Sequence, residues 1–160
     1  MATKSTYYGY TLRTPNTPYQ QWALSQLPIP VSAMFTSNST EEVAIDGIIP
    51  ITGTSLNQIG GKINTDGTFC IPAGLYRIKF ITLVNGAATD PISVSLKAGS
   101  TTVLESVVAG STEAVTVQGE IILSCSGCNV SWSLSNSTAA AVTPESMGLY
   151  TAQVIIERLL

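Results

Sequence analysis

Hydrophobic and polar residues alternate at every second position in much of the chain beyond Pro30, which is the period of a strand with one buried side. In the clearest internal example, Tyr76, Ile78 and Phe80 fall on one face, and the two charged residues between them fall on the other. A helix would instead place such residues three or four positions apart. The segment is therefore predicted to be a strand of a half-buried sheet.

The same pattern recurs along the rest of the chain, with Gly, Asn-Gly and Asp-Gly turns between the segments. No stretch with a helical period separates them, so no crossover helix is available to join parallel strands. The sequence therefore predicts an all-β, antiparallel sandwich. The predicted strands are 31–35, 43–51, 60–63, 68–71, 76–84, 92–97, 101–108, 113–118, 121–125, 130–135 and 150–159.

The last predicted strand is the best patterned. Tyr150, Ala152, Val154 and Ile156 share one face, and mainly polar residues share the other. A strand with one apolar face packs that face into the core. We therefore expect the C-terminal segment to be part of the core.

Residues 1–30 differ from the rest of the chain. Prolines at positions 15, 18, 28 and 30 fix φ and remove backbone donors, so a regular helix or a central strand throughout is excluded. The aromatic side chains are costly to leave in water, since burying each one contributes about 2 kcal/mol. We expect residues 1–30 to be an extended attachment arm that docks on a partner, and residues 31–160 to be a separate domain. The candidate docking residues are Tyr7, Tyr8, Tyr10, Tyr19 and Trp22.

Composition narrows the possible partners. Only 11% of residues are charged against 44% hydrophobic, and the mean hydropathy is +0.30, so some apolar surface is expected to be buried between subunits. The net charge of −3 and the scattered basic residues argue against nucleic-acid binding. The N-terminal residues have no apolar signal region and no segment is long enough to span a membrane, so we expect cytoplasmic synthesis and no membrane contact.

The residues available for chemistry argue against an enzyme. The chain has no histidine, which removes the usual general base and the imidazole metal ligand. Glu41, Glu42 and Asp46 are close in sequence, but without a calcium-loop motif they are interpreted as a solvated charge cluster. Asp66 is interpreted as a turn residue. We therefore predict no catalytic residues, no metal and no cofactor.

Three cysteines in a chain without an export signal argue against a disulfide framework and for at least one reduced, buried thiol. Cys125 and Cys128 are interpreted as flanking a Ser-Gly hairpin turn, because no second cysteine pair or βαβ context supports a zinc or redox site. Cys70 is interpreted as a small packing residue. Trp132 alternates with apolar neighbours and is predicted to lie in the core.

A Gly-x-Phe at 67–69, a Pro-containing corner at 72 and a Gly-x-Tyr at 74–76 lead into the long strand described first. With the closing strand at 152–159, this arrangement resembles the C1q/TNF-like jelly-roll domain. Relatives of that kind occur on bacteriophage and other virus particles and in bacterial spore-surface glycoproteins. The resemblance implies a homotrimer, in which the candidate interface or core residues are Phe69, Tyr76, Ile78, Phe80, Tyr150, Val154 and Ile156.

These observations favour a structural virion protein, a trimeric capsid decoration or head-fibre component on the particle surface. Its arm would dock on the major capsid protein or another virion protein. Two alternatives remain at this stage. One is a receptor- or glycan-binding knob that uses the loops at Asn85–Asp90 and Asn136–Glu145, with a host surface glycan as ligand. The other is a bacterial spore-surface trimer.

Overall fold

The computed structural model describes residues 31–86 and 89–160, and the backbone of two short strands nearer the N-terminus. In the described part all the regular elements are strands, which confirms the predicted all-β class. The strands are β1 Lys4–Tyr7, β2 Tyr10–Arg13, β3 Val31–Ser37, β4 Ile48–Ile49, β5 Gly53–Asn57, β6 Lys62–Ile63, β7 Phe69–Cys70, β8 Gly74–Asn85, β9 Ile92–Ala98, β10 Thr101–Val108, β11 Val115–Cys125, β12 Trp132–Asn136, β13 Thr143–Glu145 and β14 Ala152–Arg158.

The strands from β3 onward form two six-stranded antiparallel sheets. Sheet I has the order β11-β8-β14-β3-β5, with β13 paired to the end of β8. Sheet II has the order β10-β9-β12-β7-β6, with β4 paired to β12 beside β7. The strands β1 and β2 form a separate antiparallel pair. The last strand, β14, lies between β3 and β8, so both chain ends of the domain meet in the middle of sheet I.

The core lies between the facing sides of the two sheets. Along β8 the side chains alternate between buried and partly exposed, as the sequence pattern predicts. Phe35 from sheet I and Phe69 from sheet II meet in the core with 5.4 Å between ring centroids. Trp132 is also buried there, opposite Phe69 in the ladder, which confirms its predicted place in the core.

Two of the errors in the predicted strand boundaries have a clear local reason. The segment 43–51 is not one strand, because Asp46 has φ 59° and Gly47 N donates to Ala44 O in a tight turn before β4. Conversely, the predicted turn at Gly119 is absent, and β11 continues through it opposite Phe80. A Cβ on Gly119 would lie 2.5 Å from Ser106 Oγ, so this glycine permits the close approach of β10.

The connection after β11 is also different from the prediction. Cys125 and Cys128 do not flank a hairpin, because β11 belongs to sheet I and β12 belongs to sheet II. The chain instead crosses from one sheet to the other, with Gly127 at φ 116° in the connection. In sheet II, β12 pairs with β9 on one side and with β7 on the other. It therefore does not pair with β11, which precedes it in sequence but lies at the edge of sheet I.

Candidate interaction surface

The residues predicted as interface or core candidates lie mainly inside the monomer. Their side chains face the opposite sheet, and nothing of them is left for a second chain to contact. Tyr150 differs, because it is half-buried at the edge of sheet I and its hydroxyl shares a 2.7 Å hydrogen bond with Ser55 Oγ. Any contact with another copy must therefore use other residues of the same strands. The fully buried candidates are Phe69, Tyr76, Ile78, Phe80, Val154 and Ile156.

The arm candidates Tyr7, Tyr8, Tyr10, Tyr19 and Trp22 lie outside the residues whose side chains the structure describes. The structure describes the backbone pairing of two of these residues, Tyr7 and Tyr10, at the end of the β1–β2 ladder. The docking role of residues 1–30 stays a prediction.

The outward side of sheet I carries the apolar residues that lie between the buried positions of its strands. Met34 lies opposite Leu56 on one side and opposite Ile155 on the other, so three apolar side chains form a row across β5, β3 and β14. Ile122 on β11 is 54% exposed and Ile155 is 37% exposed. We call this surface the apolar face of sheet I. It comprises Met34, Leu56, Ile81, Leu83, Ile122 and Ile155.

Balanced charges cross the middle of this face. Arg77 on β8 contacts one carboxylate on each neighbouring strand. Its Nε lies 3.6 Å from Oε1 of Glu120, which is diagonal to it on β11, and its Nη1 lies 3.2 Å from Oε2 of Glu157, which is directly opposite on β14. Lys79 follows two positions later on the same side of β8. Pairs as exposed as these contribute little to the stability of one chain, about 0 to 1 kcal/mol each. Because two basic and two acidic side chains are interspersed, a second copy of the face would meet no net charge.

The outward side of sheet II is polar by contrast. Ser93 and Ser95 on β9 lie between core residues of that strand, and their hydroxyls bond to Glu105 and Ser137. Ser133 and Ser135 continue this row on β12. Val107 on β10 is 60% exposed on this side, next to Ser93. The outward side of sheet I therefore carries a row of apolar side chains, whereas the corresponding row on sheet II consists of serines.

The cysteines are arranged differently from the prediction. Cys70 on β7 and Cys128 in the connection after β11 form a disulfide with 4.9 Å between their Cα atoms. The interpretation of Cys70 as a small packing residue is therefore wrong, and one disulfide is present although the sequence argued against a disulfide framework. These two residues are 58 positions apart, and only the packing of sheet II against sheet I brings them together. Cys125 is the reduced, buried thiol that the sequence predicts, and burial raises its pKa to about 11.

The acidic residues match their interpretation as turn and surface groups. Asp66 Oδ1 accepts hydrogen bonds from Thr68 N at 3.0 Å and from Thr68 Oγ1 at 2.6 Å, which fixes the turn before β7. The Thr68 side-chain hydroxyl is the main reason that the pKa of Asp66 is lowered. Asp46 lies 3.9 Å from Lys97 Nζ on the surface. Within residues 31–86 and 89–160 no group of three acidic or cysteine side chains is placed to hold a metal ion.

The loop from Asn136 to Glu145, proposed above for ligand recognition, is fixed by internal bonds. Asn136 is buried, and its Nδ2 donates to the carbonyl oxygens of Val43, Ala44 and Ala140. Its Oδ1 accepts from Thr138 N, which is also buried. These amide groups hold the loop to the domain and are not free for a ligand. The other loop, Asn85–Asp90, lies partly outside the described residues.

An open cavity of about 410 Å³ lies where the edges of the two sheets meet at β10 and β11. Its walls are mainly apolar, and the thiol of Cys125 is part of them. Its lining contains neither an acid–base pair nor a charged group. The lining residues are Ala98, Val103, Ile121, Leu123, Ser124, Cys125, Ser126, Gly127, Val130 and Trp132. Separately, the described residues include no helix that could cross a membrane.

No protein-family model matches the chain, and no curated protein matches it in sequence. Solved structures do match it. Eiger TNF from S. frugiperda has a TM-score of 0.65 at 12% identity, covering 83% of this chain and 94% of its own. The globular domain of zebrafish complement 1qA has a TM-score of 0.53 at 12% identity, with 81% and 96% covered. The PRD1 vertex protein P5 has a TM-score of 0.50 at 16% identity, with 82% and 96% covered. At such identities the likeness concerns the fold.

Proposed function

Starting from the C1q/TNF-like jelly roll that this chain forms, we propose that it is a non-enzymatic knob domain that assembles into a homotrimer through the apolar face of sheet I. The observation that carries the proposal is the row of apolar side chains on a surface that a monomer would leave in water. Burying such a row between subunits stabilises the assembly by about 25 cal/mol for each Å² of apolar area removed from water. Together with Lys79, the charges of Arg77, Glu120 and Glu157 sum to zero, so the face presents no net charge to a neighbouring subunit.

The proposed trimer is tested with two charges on that face. Wild-type protein is expected to scatter light as a particle of three times the chain mass of 16.8 kDa at micromolar concentration. The double substitution Ile122→Glu and Ile155→Glu is expected to give monomers, because it would bury unpaired carboxylates at the contact. Both side chains are exposed in one chain, so the variant keeps its fold and its circular dichroism spectrum.

Val107→Glu is the matched control. It places the same charge on an exposed apolar residue of sheet II and should leave the trimer intact. A monomeric wild type, or dissociation by Val107→Glu to the same extent, would contradict the proposed interface.

We further propose that the trimer sits on the surface of a virus particle and is held there by residues 1–30. Three features support this setting: the aromatic composition of the arm, the low overall charge, and the likeness in fold to a phage vertex protein. The partner would be a capsid or other virion protein. The fold is also compatible with other surfaces, since one fold serves many functions.

Attachment is tested on particles assembled with a chain that lacks residues 1–30. Mass spectrometry should detect the full chain on purified particles but not the truncated chain. Light scattering of the two free proteins should show that both are trimers. Truncated protein that stays on the particle would refute the attachment role of the arm without affecting the trimer.

A further inference from the structure

A second surface feature lies at the edge of sheet I, where β5 runs beside β3 and the turn before β14 packs against them. It is a cleft of about 300 Å³, at the lower end of the usual range of about 300 to 1,000 Å³ for small-molecule sites. Its lining residues are Thr36, Asn38, Thr52, Gly53, Thr54, Ser55, Leu149 and Tyr150.

The lining combines hydroxyl and amide groups with two apolar surfaces and contains no charged side chain. Hydroxyls both donate and accept hydrogen bonds, and an amide offers both functions side by side. A phosphate or carboxylate would find no cation here, and a metal ion would find no carboxylate. Leu149, which is 83% exposed, and the ring of Tyr150 are both part of the lining and offer apolar surface to the C–H face of a sugar ring. We propose that this cleft binds a neutral saccharide.

Hydrogen bonds already hold the polar groups of the cleft in place. Thr52 Oγ1 donates to Asn38 Oδ1 at 3.0 Å and accepts from Asn38 N at 3.4 Å. The hydroxyl of Tyr150 shares a hydrogen bond with Ser55 Oγ. The backbone carbonyl oxygen of Tyr150 accepts a hydrogen bond from Met147 N at 2.7 Å. A ligand therefore meets groups whose positions need little further ordering, which lowers the cost of binding.

Gly53 lines the cleft without a side chain of its own. A Cβ at Gly53 would lie 3.0 Å from Thr36 Oγ1, which is also part of the lining, so a side chain here would take up space beside Thr36. The φ of Gly53 is not in the left-handed region, hence an alanine is tolerated there by the backbone. Gly53→Ala thus fills the cleft without removing a polar group.

Saturation-transfer NMR on the full chain tests the proposal, with glucose, galactose and N-acetylglucosamine as neutral probes and sialic acid as a charged comparison, each at millimolar concentration. Saturation is expected to be transferred from the wild-type protein to at least one of the neutral sugars. Asn38→Ala should weaken that binding about fivefold because it removes a hydrogen-bonding amide from the lining. Gly53→Ala should weaken it because its methyl group takes up space in the cleft. Thr102→Ala, an exposed threonine on β10 of sheet II, should have no effect.

Three results would overturn the saccharide site: no transfer to any neutral sugar, transfer to sialic acid alone, or binding that both variants keep. Thermal unfolding of each variant checks that it is folded. The double variant Ile122→Glu and Ile155→Glu should still bind the sugar as a monomer, because one chain forms the whole cleft. The saccharide site and the trimer can therefore fail independently.

Discussion

At the scale of single residues, Cys125 shows how burial controls a reactive group. Its thiol is part of the wall of the apolar cavity, and burial raises its pKa from the ordinary 9.0 to about 11. The thiolate is the form that attacks alkylating agents. At pH 8 the folded protein should hold about 100-fold less thiolate than a free cysteine, because two pKa units correspond to that ratio.

We therefore expect iodoacetamide to modify Cys125 slowly in native protein at pH 8 and rapidly in urea, as measured by mass spectrometry. The raised pKa also predicts a pH dependence of stability. The unfolded thiol ionises near pH 9 and the folded one near pH 11, so its contribution is full below pH 9 and is lost between pH 9 and pH 11. Cys125→Ala should lack this component of the decline. Equal labelling rates in native and unfolded protein would contradict the prediction.

The cysteines also show where prediction from sequence ends at this scale. One reduced, buried thiol could be predicted from an odd number of cysteines, but its identity could not. Cys125 and Cys128 form a C-x-x-C, yet the second one bonds to Cys70 from another sheet. The spacing of residues along the chain carries no information about that contact, which depends on how the sheets pack.

At the scale of elements, the disulfide joins β7 of sheet II to the connection that leaves β11 of sheet I. It closes a loop between residues 58 positions apart, and a loop of this length corresponds to about 4 kcal/mol of lost chain entropy in the unfolded state. We expect the double substitution Cys70→Ala and Cys128→Ala to lower the free energy of unfolding by about this amount. Urea denaturation measures it.

Cys125→Ala in the same assay is the control, since it keeps the disulfide. If reduction of the wild type with dithiothreitol left its urea midpoint unchanged, the disulfide would have no such role.

Prediction of the elements succeeded where side chains alternate over many residues and failed where they do not. The long strand β8 was predicted from its pattern because every second side chain along it is buried. The strand β5 was missed because its residues are polar and mostly exposed at a sheet edge. Gly119 was taken for a turn, although its role is to let β10 approach β11.

At the scale of the whole molecule, the jelly roll was predicted from its resemblance at residues 67–80 and from the closing strand. The candidate site was not. The residues that stood out as apolar and aromatic, such as Tyr76 and Phe80, fill the core of one chain. The apolar face of sheet I consists of the residues between them, and a sequence pattern cannot distinguish an outward apolar residue that contacts a partner from one that contacts water.

The position of β14 has a consequence for how the protein is made. It supplies the only strand between β3 and β8 in sheet I, and its register pairs Arg158 with both Val31 and Tyr76. Before β14 has been translated, sheet I exists as two parts with unpaired backbone edges at β3 and β8. Such edges pair readily with other chains. Completion of this sheet must therefore wait until β14 has been translated, and the nascent chain is prone to aggregate until then.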